Sequence, residues 1–587
     1  MTTTAHVDTF ARDHLPPREQ WPEFVFTLPQ LQYPARFNCA AELLDGAVVN
    51  GHGARPAIVT PERRLSYDEL LAEANRIANV LRDDLGVVPG NRVLLRGFNN
   101  DVMAACWLAV VKAGAVVVTT MPMLRAKELT DVVNAAQISH AICDLRLRDD
   151  LESALPACPA LRTVVFSHDD RPAGLAALAE RRRATFANAD TAADDVCMIA
   201  FTSGTTGKPK GTMHFHRDVL AICDTFPPSS FAPLPDDVFV GTPPLAFTYG
   251  LGGALLFPLR AGASTVLLEK PSPDVLLDAI RRFGATVCFT APTSYRAMAP
   301  LAKDYDLRRL RACVSAGETL PVATRALWEN ATGVRIIDGI GSTEMLHIFI
   351  AASGDAIRPG ATGVPVPGYV ACIIDDDGAP LPPGNVGRLA VKGPTGCRYL
   401  ADPRQRDYVQ NGWNVTGDAY LLDDDGYFWY QARTDDMIIS SGYNIAGPEV
   451  EGALLEHPRV LECAVVGIPD EARGSIVKAF VVLNPDVTGS STTNPDVTGS
   501  STTNPDVTGS STTNPDVTGS STTNPDVTLS LSKGQPLIVE LQEFVKARIA
   551  PYKYPRAIEF VDELPRTETG KLQRFKLRTA APEEAKR

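Results

Sequence analysis

The eleven residues 201–211, Phe-Thr-Ser-Gly-Thr-Thr-Gly-Lys-Pro-Lys-Gly, bring together three kinds of anion-binding group. Gly204, Gly207 and Gly211 let backbone N–H groups turn toward an anion. Thr202, Ser203, Thr205 and Thr206 donate hydroxyls, and Lys208 and Lys210 add positive charge. Together they make a cradle for a polyphosphate. It is not the usual mononucleotide loop, which has four residues between its glycines and a Ser or Thr after the lysine. Here two residues separate Gly204 from Gly207, and Pro209 follows Lys208.

A cradle of this kind needs a strand to present it, and the apolar run 196–201 reads as a buried one. Upstream, strands are expected at 57–60, 93–95, 116–119, 141–144 and 163–166. Helices are expected after Ser66, whose hydroxyl stands three residues before Glu69 as an N-cap, and at 101–113 and 126–136. This alternation predicts an α/β fold of mostly parallel sheets covered by helices. Beyond the cradle, a strand at 238–242 leads into Pro-Pro-Leu-Ala-Phe-Thr-Tyr-Gly-Leu-Gly-Gly. By residue type, Phe247 and Tyr249 fit a pocket wall and core packing equally. Residues 1–50, rich in proline and aromatics, are expected to wrap over a later surface. Helices at 449–455 and 537–549 and strands at 460–468, 477–483 and 557–560 predict a smaller α+β unit.

Composition narrows the classes. The chain has 587 residues, 44% hydrophobic and 21% charged, as in a soluble globular protein of several domains. A formal charge of −13 argues against a nucleic-acid surface. Eleven cysteines without Cys-x-x-Cys or paired Cys/His spacing point to reduced core residues of a cytoplasmic protein, and neither disulfides nor zinc ligands are expected among them. The apolar run 102–111 is too short to cross a bilayer, and the first residues lack a basic-then-apolar leader, so no membrane partner is expected. Residues 484–523 are four copies of Asn-Pro-Asp-Val-Thr-Gly-Ser-Ser-Thr-Thr, and 524–528 begin a fifth. One valine per copy cannot build a core, so 484–528 is expected to be a disordered loop without chemistry.

The 201–211 string resembles the phosphate loop of the adenylate-forming superfamily, which comprises acyl- and aryl-CoA synthetases, adenylation domains and luciferases. Four further stretches carry the resemblance in family order. Ser-Ala-Gly-Glu-Thr-Leu at 315–320 looks like the adenine-side turn and implies nucleotide contacts from Gly317 and Glu318, with Ala316 on the acid pocket. Asp-Gly-Ile-Gly-Ser-Thr-Glu at 338–344 resembles the Tyr-Gly-x-Thr-Glu motif. It implies nucleotide contacts at Asp338 and Gly339, a pocket wall at Ile340 and Gly341, and catalytic roles for Thr343 and Glu344. Ile340 departs from the motif's usual tyrosine, and Glu344 would also bind Mg²⁺ through a hard oxygen donor. Asp418, after what reads as a Thr-Gly turn, and Arg433 would hold the ribose. Asp435 would be the hinge and Gly442 would line the thiol's tunnel. Lys571, in Pro-Arg-Thr-Glu-Thr-Gly-Lys, would be the catalytic lysine that bonds the carboxylate and the acyl phosphate.

The resemblance implies a large domain at 1–434 hinged to a mobile domain at 435–587, with ATP, Mg²⁺ and coenzyme A as cofactors and an aromatic carboxylate as the small-molecule partner. Phe-Thr-Tyr-Gly-Leu-Gly-Gly and Gly-Ser-Thr-Glu-Met-Leu-His look most like benzoate-type CoA ligases, and the 13–22 stretch is most similar to 2-aminobenzoate-CoA ligases. A flat acid suits a pocket bounded by Tyr249 and glycines 317, 339 and 341. His347 fits a bond to an ortho substituent and a structural histidine equally. A benzoate or other acyl-CoA ligase, a luciferase-like oxygenase and a nucleotide-holding protein without turnover are the alternatives. Monomer and homodimer are both compatible with the sequence.

Overall fold

The computed structural model describes residues 3–202, 209–433, 436–440, 443–470, 473–485, 535–549, 551–566 and 572–579. These fall into two compact units, one ending at residue 433 and one beginning at Asp436.

Two large sheets dominate the first unit. A six-stranded sheet runs in the order Thr163–Ser167, His140–Asp144, Arg92–Arg96, Val116–Thr120, Val196–Thr202, Lys210–Phe215. Its first five strands are parallel and the sixth turns back antiparallel. Strands such as Val116–Thr120 are buried throughout, as their continuous Val-rich runs demand of a sheet covered on both faces. A nine-stranded sheet has six parallel strands at its centre, among them Val287–Thr290, Ala312–Ser315 and Ile336–Gly341. Helices close the layers. Ser66 caps Tyr67–Asn79 with the reciprocal Glu69 contact expected from sequence, and Asp101–Lys112 is buried along most of its length. The α/β architecture is the predicted one.

Sequence periodicity missed a third, antiparallel sheet built from Val370–Ile374, Val386–Lys392, Trp413–Leu422 and Val409–Gln410, with Phe428–Arg433 alongside. It corrects the expected Thr-Gly turn before Asp418. Trp413–Leu422 is one strand, and residues 416–418 form a bulge opposite Leu389, with Gly417 at φ +74°.

The N-terminal segment wraps as expected. Arg36 bridges to Ala192, and Glu23 and Val25 donate backbone N–H groups to Gly412 and Gly393.

In the second unit Gly474–Leu483 is the central strand of a sheet, antiparallel to Val460–Asp470 on one side and parallel to Ala557–Phe560 on the other, packed by Gly447–Leu455 and Gln535–Lys546 through Val450, Leu454, Leu541 and Val545. Nearly all of the repeat lies outside the described residues. Among the described residues, no helix is long and apolar enough to cross a membrane.

Candidate active site

Several of the expected site residues lie at or just beyond strand ends of the two large sheets. Thr202 and Lys210 close the hairpin between Val196–Thr202 and Lys210–Phe215 as register partners and so bracket the cradle. Ser203, Gly204, Thr205, Thr206, Gly207 and Lys208 lie outside the described residues, as do Asp435, Gly442 and Lys571.

Lys210 does not stand alone. Its ammonium lies 2.9 Å from the Tyr399 hydroxyl and 3.6 Å from Glu344, and that hydroxyl donates to Glu344 Oε1 at 2.5 Å. Nothing in the sequence pointed to Tyr399. It comes from a segment that runs beside the cradle's outgoing strand, where Leu400 N donates to Gly211 O and Met213 N to Arg398 O. Behind it, the fully buried Arg398 donates to Asp218 of the helix His216–Ser230, fixing the segment from below. Thr343 and Ser342 flank Glu344, and Ser342 shares a hydrogen bond with Tyr408. The buried Glu344 carboxylate has the oxygen donor that a hard divalent cation such as Mg²⁺ prefers, and Lys210 at 3.6 Å is its present counter-charge.

The adenine-side residues also converge. Ser315 and Asp338 are register neighbours on parallel strands, so Ala316, Gly317 and Glu318 follow one strand end while Gly339, Ile340 and Gly341 continue beside it. Gly317 turns the chain at φ +91°. Burial pushes the Asp338 carboxyl up to about 7, against the pull of Arg325 and Ser315, and its Oδ1 has no partner among the described residues. Across the third sheet, Asp418 and Arg433 are cross-strand neighbours joined at 3.1 Å. Burial raises the Asp418 carboxyl, and Arg433 opposes that shift.

Beyond these groups lies an aromatic cluster. His347 is buried against Phe257 (4.6 Å between ring centres), Phe226 (5.5 Å), Tyr249 (5.6 Å) and Phe289 (6.4 Å). Burial drives its imidazole down to about 3, so the ring is neutral, and neither nitrogen has a hydrogen-bond partner of normal geometry among the described residues. The Tyr249 hydroxyl reaches Val314 O at 3.0 Å, tying the ring to the adenine-side strand. Phe247 caps the short helix Thr248–Leu251 and is half-buried. A side chain at Gly252 would meet the His347 ring at 2.4 Å, so glycine is what lets the histidine lie there. Of these partners, Phe226, Phe257 and Phe289 were not legible in advance, since aromatic residues in apolar runs read as ordinary core.

A hairpin closing the cradle, a buried glutamate beside it and a cross-strand Asp–Arg pair are the parts an adenylate-forming enzyme needs. The profile described as "AMP-binding enzyme" matches residues 47–399, and "AMP-binding enzyme C-terminal domain" matches 449–498 and 522–571. The chain is 35% identical to the benzoate--CoA ligase of Thauera aromatica, over 94% of this chain and 98% of that one. Among solved structures it resembles the anthranilate CoA ligase AuaEII in complex with anthranoyl-AMP, with TM-score 0.83 and 32% identity over 94% and 99% of the two chains. It also resembles a benzoate CoA ligase from Burkholderia xenovorans LB400, with TM-score 0.77 and 31% identity over 92% and 100%. The protein belongs to the AMP-binding enzyme family. It is an acid–thiol ligase of the aryl-CoA side of that family, acting on a small carboxylate with ATP, Mg²⁺ and coenzyme A.

Proposed function

We propose that this enzyme joins 2-aminobenzoate to coenzyme A, releasing AMP and pyrophosphate. The aromatic cluster carries the reading. Half-buried Tyr249 packs on Phe289 and on neutral His347, so a flat acid held against Tyr249 would lie beside the one polar group of an otherwise apolar cluster, suited to an ortho amine. The likeness to an anthranilate ligase supports it. Benzoate is the second reading, favoured by the 35% identity to the Thauera aromatica enzyme.

A carboxylate is a poor acyl donor because its oxide leaves badly. Attack of one carboxylate oxygen on the α-phosphorus of ATP forms a new O–P bond, and the bond to pyrophosphate breaks. Thr202 and Lys210, at the two ends of the cradle, flank the departing anion and offset its charge. Glu344 would hold Mg²⁺, which when bound neutralises phosphate charge. Until then Lys210 and Tyr399 keep that carboxylate oriented. Asp418 accepts hydrogen bonds from the ribose hydroxyls with Arg433 beside it, while Asp338, Gly339 and the 316–318 turn face the base. Gly341 lets its strand lie close against the His347–Ile348 backbone, since a Cβ there would meet His347 O at 2.6 Å.

In the second half-reaction the thiol sulfur attacks the adenylate's carbonyl carbon and expels AMP. Lys571 as the clamp of the first step, Asp435 as the hinge and Gly442 on the thiol's path complete the assignment, with the 1–434 and 435–587 domains moving between steps. Eleven unpaired cysteines and the acidic charge support a cytoplasmic enzyme that binds neither nucleic acid nor membrane, working as a monomer or homodimer. Mass-spectrometric detection of 2-aminobenzoyl-CoA after incubation with ATP, Mg²⁺ and coenzyme A tests the proposal. Its absence, with benzoyl-CoA formed under the same conditions, would move the assignment to benzoate.

A further inference from the structure

Behind the phosphate hairpin, three segments remote in sequence bring two thiols and an imidazole together. Cys39 comes from the N-terminal wrapping segment, Cys197 from the strand Val196–Thr202, and His216 opens the helix His216–Ser230. One ligand atom from each lies within 4.8 Å of the other two, and all three residues are buried. Cys39 Sγ is 3.2 Å from His216 Nδ1.

The surrounding nitrogens need explaining. His216 Nε2 is buried without a partner among the described residues, and so are both ring nitrogens of His6, which lies within electrostatic reach of His216. Buried polar atoms of this kind usually have a protein, water or ion partner. A second cluster, Asp144, His168 and Glu269, gives the contrast, because Arg146 already donates to both of its carboxylates and supplies the cation they would seek.

We propose that Cys39, Cys197 and His216 form a zinc-binding site with three protein ligands. Thiolate sulfur and imidazole nitrogen are the donors this ion prefers. Tetrahedral bonds of about 2.3 Å to sulfur and about 2.0 Å to nitrogen put ligand atoms roughly 3.5–3.8 Å apart, so the cluster closes with shifts on the order of 1 Å. Binding releases two thiol protons to solvent and leaves Zn²⁺ with two thiolates, a neutral unit suited to a buried place. The metal would staple the wrapping segment to the hairpin that ends in Thr202 and Lys210, steadying the nucleotide site without touching it.

Elemental analysis of the full-length protein as purified should find one zinc per chain, lost in Cys39→Ser and in Cys197→Ser. Because either variant can fail to fold, the wild-type protein produced in cobalt-supplemented medium provides the second reading. It should show thiolate-to-cobalt charge-transfer absorption in the near ultraviolet and tetrahedral d–d bands in the visible. Wild-type protein without zinc whose cobalt form lacks thiolate bands would overturn the site, as would zinc content unchanged in both variants.

Discussion

The Tyr399 hydroxyl lies 2.5 Å from Glu344 Oε1 and 2.9 Å from Lys210 Nζ, so one phenol joins the outgoing strand of the phosphate cradle to the carboxylate that fits Mg²⁺. Removing it in Tyr399→Phe deletes a charge-assisted hydrogen bond worth about 1.5–3 kcal/mol. If that bond orients Glu344 in the transition state, adenylation should fall by roughly 10- to 100-fold. Acid-dependent pyrophosphate release, measured across Mg²⁺ concentrations, should show the larger loss when Mg²⁺ is scarce. An unchanged rate at every concentration would remove Tyr399 from the site.

Asp418 and Arg433 face each other across neighbouring strands at 3.1 Å. Asp418→Asn keeps the shape and removes the charge, so the Michaelis constant for ATP should rise about tenfold, or about 1.4 kcal/mol, with a smaller change in turnover. The wild type should discriminate against 2′-deoxy-ATP, and the variant should not. Equal discrimination in both would place the ribose elsewhere.

These two pairs mark where the sequence was legible and where it was not. Asp418, Arg433, Glu344 and Lys210 stand in short motifs whose residue types state their chemistry, and Ser66 announces its helix by a contact three residues long. Tyr399 carries no such signal. Its partners are 55 and 189 residues away, and only the pairing of its segment with Lys210–Phe215 brings them together. The third sheet was hidden for a related reason. The Gly417 bulge breaks the alternation of Trp413–Leu422 and makes a strand read as a turn.

Burial pushes the Asp338 carboxyl up to about 7, far above its unfolded value near 3.8. Between those values the unfolded chain has lost the proton and the folded one still holds it, so this group's contribution to stability is full below about pH 4 and is lost as pH rises toward 7. Asp338→Asn should therefore be no more stable than wild type at pH 4 and should gain on it toward pH 7. Melting temperatures at both pH values check this, and parallel curves would contradict it.

His347 is neutral and caged by four aromatic rings. His347→Phe should leave benzoate turnover within a few-fold while lowering the preference for 2-aminobenzoate over benzoate by roughly tenfold, since an ortho amine would lose its buried partner. Specificity constants for the two acids, measured side by side, decide it. An unchanged ratio would make His347 a packing residue.

An aryl-CoA ligase adenylates its acid and then hands the acyl group to coenzyme A, and one assay follows both steps. Coenzyme-A-dependent AMP formation from ATP, measured across 2-aminobenzoate, benzoate, hydroxybenzoates and hexanoate with Lys571→Ala in parallel, is the most direct test. Selective turnover of 2-aminobenzoate, with pyrophosphate release lost in the variant, is the predicted result. Absence of AMP and pyrophosphate with every acid would contradict the account.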